Sequence, residues 1–156
     1  DCQKSNITFL TPQYNGVLLF TRPMHSSEWS SILFNFYTNS KKAIYRKGEK
    51  GIIGIECGVS EKMIYLEFSD NGIGIPEEYE ERIFDEFFTT TSAMNYEDID
   101  SVNAVLGTGL GLKIVKDIVE SYKGRIFVTS PKNQFNTCIR VEIPMLDDKD
   151  FEKYGL

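Results

Sequence analysis

The stretch MIYLEFSDNGIGIP, residues 63–76, alternates cleanly and then stops. Ile64, Leu66 and Phe68 fall on one side of an extended chain, and Met63, Tyr65 and Glu67 on the other, as in a half-buried strand. The run ends on Asp70, followed by Asn71, by Gly72 and Gly74 spaced by Ile73, and by Ile75 and Pro76. A carboxylate behind an apolar strand is costly if buried without partners. Asp-Asn-Gly is ordinary turn chemistry, which is one reading. The other is functional. An ionised carboxylate only accepts hydrogen bonds, so it suits an exocyclic amino group such as that of adenine. Gly72 and Gly74 would then let the backbone approach a flat ring closely.

Around this strand the chain alternates strand-like and helix-like segments. Upstream, residues 7–10 and 16–21 read as two tightly joined strands separated by Pro12 and Asn15-Gly16. Ser26 or Ser27 can cap a helix over 28–46, on which Trp29, Ile32, Leu33, Phe36, Ser40, Ala43 and Ile44 share one broad face. Residues 51–57 read as a further strand, and a helical stretch is expected after Pro76. The polar segment 89–106 lacks periodicity and has the length of a lid. A second helix is expected over 112–122, with Gly124 as its stop, and strands over 125–130 and 137–143 close the domain. These elements predict an α+β, two-layer sandwich with a mixed, mostly antiparallel sheet and helices on one face. A single domain is expected, with a core of about 6–145, the lid, and a tail over 146–156.

Composition narrows the function. The 156 residues are 41% hydrophobic and 13% aromatic, enough for one packed core. No run reaches transmembrane length and no signal peptide opens the chain. The start at Asp1 reads as a piece of a longer protein. Cys2, Cys57 and Cys138 lack CxxC spacing, and their odd number fits a reduced, cytoplasmic setting. A net charge of −6 argues against nucleic acid or an anionic membrane as the main partner. His25, the sole histidine, has no metal-ligand company and reads as a surface or capping residue.

Two further features bear on chemistry. Asn35, Asn39, Lys42 and Arg46, at i, i+4, i+7 and i+11, form one narrow stripe beside the apolar face of the first helix. Amide oxygens suit Mg²⁺ carried on phosphates, and a lysine neutralises phosphate charge, although a covered polar stripe reads equally well. GTGLGLKIV, residues 107–115, leads glycines into a helix whose exposed N–H groups favour an anion; a flexible hinge is the alternative. It matches neither GxGxxG nor the P-loop pattern. Together the three features describe a nucleotide pocket.

These residues resemble the ATP-binding catalytic domain of sensor histidine kinases, within the gyrase, chaperone, histidine kinase and mismatch-repair ATPases. NFYTNSKKAI (35–44) resembles the N box, DNGIGI (70–75) the G1 box, IFDEFF (83–88) the F box and GTGLGL (107–112) the G2 box, in the family's order. The resemblance implies the Bergerat-type fold, with ATP between the N-box helix and the lid. Asp70 would bind the adenine amino group, with Gly72, Gly74, Ile75 and Thr137 around the base. Asn35 and Asn39 would stand near Mg²⁺, with Lys42 beside them as the catalytic set. Gly107, Thr108, Gly109, Leu110, Gly111 and Leu112 would surround the phosphates. Phe84, Phe87 and Phe88 would anchor the lid, Phe87 close to the nucleotide.

Gyrase-like hydrolytic members typically place a glutamate four residues before the second N-box asparagine. That position is Asn35 here, which cannot act as a base, so phosphoryl transfer to a protein side chain is favoured. The implied partners are a histidine-containing dimerisation domain outside these residues and a downstream response regulator. Direct membrane contact by this domain is not expected. The sequence departs from the family at Ala43, at Glu86 and in a segment 89–106 without lysine or arginine. That last departure keeps open a non-kinase ATPase or ATP-gated module, and a serine kinase of the anti-sigma type shares the boxes.

Overall fold

A computed structural model describes residues 6–14, 24–88, 109–146 and 152–153. The order of elements is β1 (Ile7–Phe9), β2 (Gln13–Tyr14), α1 (Ser26–Lys47), β3 (Gly51–Ser60) and β4 (Met63–Asp70), then two 3₁₀ turns, α2 (Gly111–Ser121), β5 (Arg125–Val128) and β6 (Thr137–Pro144). The strands form one mixed sheet in the order β1-β3-β4-β6-β5, with β2 also on β3. β3, β4, β6 and β5 pair antiparallel, whereas β1 and β2 each run parallel to β3. This is the expected α+β sandwich.

The sheet buries one face under both helices. Ile32, Phe36, Ser40 and Ile44 form a four-residue periodic strip on α1, and Val115 and Val119 do the same on α2. They meet Ile53, Phe68, Ile139, Val141 and Ile143 of the sheet, with the Phe36 and Phe68 ring centroids 5.5 Å apart. Burying each large apolar side chain stabilises the fold by roughly 1.5–3 kcal/mol. Hence α1 is pinned along its length, and its polar stripe is fixed relative to the end of β4.

The opposite face of the sheet is not simply solvated. Glu67 and Glu142 are buried there, at 4% exposure each, because Arg140 bonds both. Lys132 and Arg125 add a second partner to each acid, and the Arg140 guanidinium lies 4.0 Å above the Tyr65 ring.

Several local expectations change. The helical stretch expected directly after Pro76 is not α-helical but two separate 3₁₀ turns, Glu77–Tyr79 and Arg82–Phe84, so Ile83 and Phe84 can turn into the core within a few residues. His25, not Ser26 or Ser27, is the N-cap of α1, its backbone N–H donating to Glu28 Oε2 at 2.8 Å. Lys123, not Gly124, takes the left-handed conformation after α2, while Gly124 passes against the backbone of β6 at Glu142. β1 and β2 do not pair with each other, and β2 lies where a turn was expected. The strand expected over 16–21, the lid over 89–106 and nearly all of the tail lie outside the described residues.

Candidate functional site

Asp70 closes β4 and is 3% exposed. Burial raises its pKa above the ordinary value, and hydrogen bonds to the ionised form oppose that rise. Ser40 Oγ donates to Oδ2 at 2.6 Å, and the Gly72 backbone N–H donates to Oδ1 at 2.8 Å. Thr137 pairs with Asp70 across the ladder. Its hydroxyl lies close enough to favour the ionised form, yet it is buried and makes no hydrogen bond of good geometry among the described residues. A buried orphan hydroxyl beside a buried carboxylate is an incomplete polar cluster. It offers a donor and an acceptor side by side, which fits the N–C–NH₂ edge of adenine.

The two glycines of the turn serve different purposes. A Cβ on Gly72 would lie 2.6 Å from Ala43 Cβ and 2.8 Å from Asp70 Oδ1. The space cleared at Gly72 is therefore filled by α1 and by the carboxylate, not left for a ring. Gly74 has φ 82°, which favours glycine, and among the described residues only Asn136 lies near its open side. Ile75 packs against the core.

The polar stripe of α1 borders the start of α2. Asn35 Nδ2 donates to Ser31 O at 2.9 Å, and Asn35 Oδ1 lies against Gly111 so closely that a Cβ there would collide with it. Asn39 makes no side-chain hydrogen bond to the described residues, and Lys42 has no ion pair among them. Partial burial, then the charge of Arg46, lowers the Lys42 pKa. Leu110 caps α2 without a side-chain bond, leaving first-turn N–H groups beside Asn35, and Leu112 packs on the core. Gly109, at φ 70°, crosses the F box so tightly that a Cβ would lie 2.6 Å from the Phe87 carbonyl carbon. The amide and cation without partners among the described residues, together with the helix end that lacks a side-chain cap, fit phosphates and a water-rich Mg²⁺.

The F-box aromatics divide. Phe84 is buried, and Phe88 packs tilted against Tyr79 and lies under the Arg82 guanidinium. Phe87 has φ 59° and is 71% exposed. Gly107 and Thr108 lie outside the described residues. The fold thus brings together Asp70, Gly72, Gly74 and Thr137 at one end, and Asn35, Gly109, Leu110 and Gly111 along the α1–α2 edge. Sequence reasoning missed Ser40 and Asn136. Ser40 was legible as the lone hydroxyl among fully apolar neighbours in the α1 strip, and a buried hydroxyl requires a partner.

The profile of the histidine kinase-, DNA gyrase B- and HSP90-like ATPases matches residues 25–147. A sensor protein kinase WalK of Staphylococcus haemolyticus is 35% identical over 130 residues, 80% of this chain but 19% of that protein. The chain therefore spans about a fifth of that relative's length. Among solved structures, a mycobacterial sensor histidine kinase MprB aligns with TM-score 0.67 at 25% identity, over 92% of this chain and 86% of that one. The catalytic domain of histidine kinase ThkA aligns with TM-score 0.66 at 28% identity, over 91% and 81%. With the boxes in order and the same architecture around them, this chain belongs to the family of histidine kinase-, DNA gyrase B- and HSP90-like ATPases.

Proposed function

We propose that these residues form the single ATP-binding catalytic domain of a cytoplasmic histidine kinase. It would present Mg-ATP to a histidine on a dimerisation domain outside the chain, upstream of a response regulator. The observation that carries the reading is the Asp70 carboxylate, buried, held by Ser40 and Gly72, and set beside the Thr137 hydroxyl, which has no hydrogen-bond partner among the described residues. Asp70 accepts from the exocyclic amino group, Thr137 donates toward the ring, and Gly74 passes the base closely. The start of α2, from Gly109 to Leu112 and continued upstream by Gly107 and Thr108, meets the phosphates. Asn35 and Asn39 would hold Mg²⁺, which offsets phosphate charge during transfer. Lys42 adds a cation at the same edge.

The chain's contribution is positioning and electrostatics. Asn35 cannot deprotonate water. The nucleophile is the acceptor imidazole: its nitrogen bonds to the terminal phosphorus as the bond from that phosphorus to the bridging oxygen breaks, and ADP leaves. The WalK, MprB and ThkA similarities support a kinase over a hydrolase.

The test is transfer from terminally labelled ATP, with and without the parent's dimerisation domain. Acid-labile label on that domain, and none on this chain alone, is expected. No transfer despite ATP binding and an ATP-dependent change of association would favour the ATP-gated module, and acid-stable label a serine kinase.

A further inference from the structure

We propose that Asn136 is a positioning residue of this site, holding the turn that presents the Asp70 carboxylate to the base. The inference rests on the nucleotide reading and adds a residue to it. Asn136 stands just before β6 and Thr137. Its backbone N–H donates to Asp70 O at 2.8 Å, and its side-chain Nδ2 donates to Gly72 O at 2.7 Å and to Asn71 O at 3.3 Å. One residue thus holds three successive carbonyls, and its own amide supplies a proton to each of the last two.

The 71–72 peptide explains why this matters. Its N–H end donates to Asp70 Oδ1 at 2.8 Å, and its carbonyl end accepts from Asn136 and, at 3.0 Å, from Lys47 Nζ. A peptide unit is rigid and planar, so fixing the carbonyl aims the N–H and thereby the carboxylate. The other tethers approach from elsewhere. Asn71 Oδ1 accepts from Ile52 N–H at 2.7 Å, and Asn71 Nδ2 donates to Lys50 O at 2.9 Å, which ties the turn to the β3 side. Lys47 reaches it from α1. Asn136 supplies the side-chain tie from β6, the strand that carries Thr137. It sets the spacing between the two groups that read the base. The Asn136 carbonyl also lies against the open side of Gly74, 3.3 Å from where a Cβ would stand.

Calorimetric titration of Asn136→Ala and Asn136→Asp, with Gln134→Ala as a neighbouring control, tests this. Two ligands are used: Mg-ATP, and the triphosphate of unsubstituted purine riboside, which lacks the 6-amino group. Asn136→Ala is expected to weaken Mg-ATP about three- to tenfold, the worth of one or two lost hydrogen bonds. The purine triphosphate should change much less, Asn136→Asp should be at least as weak as Asn136→Ala, and Gln134→Ala should match the parent. Hydrogen exchange of the Gly72 amide should quicken in both Asn136 variants without ligand. Equal loss for both ligands, or unchanged Mg-ATP binding with unchanged Gly72 exchange, overturns the role of Asn136 and leaves the nucleotide site standing. A parent chain that binds neither ligand overturns both readings.

Discussion

Ser40 Oγ donates to Asp70 Oδ2 at 2.6 Å, joining the buried strip of α1 to the last residue of β4. The link fixes one carboxylate oxygen while the Gly72 N–H fixes the other. Ser40→Ala removes a donor that burial makes hard to replace with water. It should cost about 1–3 kcal/mol of stability, checked by denaturant unfolding. It should also weaken Mg-ATP binding, because Oδ2 loses its orientation.

Asp70 also predicts the pH dependence. Its folded pKa is raised, chiefly by burial. The resulting stability term is fully present below the unfolded pKa and is lost as pH rises through the folded pKa. Binding runs the other way, since the base needs the ionised carboxylate. Affinity for Mg-ATP should fall as pH is lowered into the raised range. Subtracting the profile of Asp70→Asn, which has no carboxylate there, removes the nucleotide's own titrations. A parent-minus-variant difference that does not change with pH would contradict this.

Lys42 is a half-buried cation without an ion pair among the described residues, and burial lowers its pKa. Lys42→Met should leave unfolding nearly unchanged. It should weaken ATP more than adenosine, by about tenfold for a close charge contact to phosphate. Equal losses for the two ligands would place Lys42 away from the phosphates.

Arg140 bonds both Glu67 and Glu142 on the face of the sheet away from the nucleotide residues. Among the described residues, Arg140→Met leaves each acid one partner, Lys132 or Arg125. The expected loss is about 2 kcal/mol in unfolding, with Mg-ATP affinity retained. Loss of binding at full stability would show that the two faces are coupled.

The sheet and helices were legible because period-2 and period-3.6 patterns are local, and Asp70, Asn35, Asn39 and Lys42 were legible because they break those patterns at fixed offsets. Ser40 falls on the apolar face by spacing, and only its contact with Asp70, 30 positions away, explains a hydroxyl there. Asn136 reaches Gly72 across 64 positions, beyond any local pattern. Gly72 was visible as a glycine, but its reason, the approach of Ala43, depends on how α1 packs. The segment after Pro76 has a helix's composition, yet the need to bury Ile83 and Phe84 so soon breaks it into two 3₁₀ turns.

The central claim is that Asp70 reads an adenine amino group, and calorimetric titration of Mg-ATP into the parent chain and Asp70→Asn tests it most directly. The substitution is compatible with the fold: the asparagine oxygen can accept from Gly72 N–H while its amide donates to the rotatable Ser40 hydroxyl. Relief of the buried charge should keep thermal stability equal or higher. The account predicts binding by the parent and a loss of tenfold or more in the variant, as expected for a charge-assisted hydrogen bond of about 1.5–3 kcal/mol. Equal affinity in the two proteins, with both folded, would contradict it.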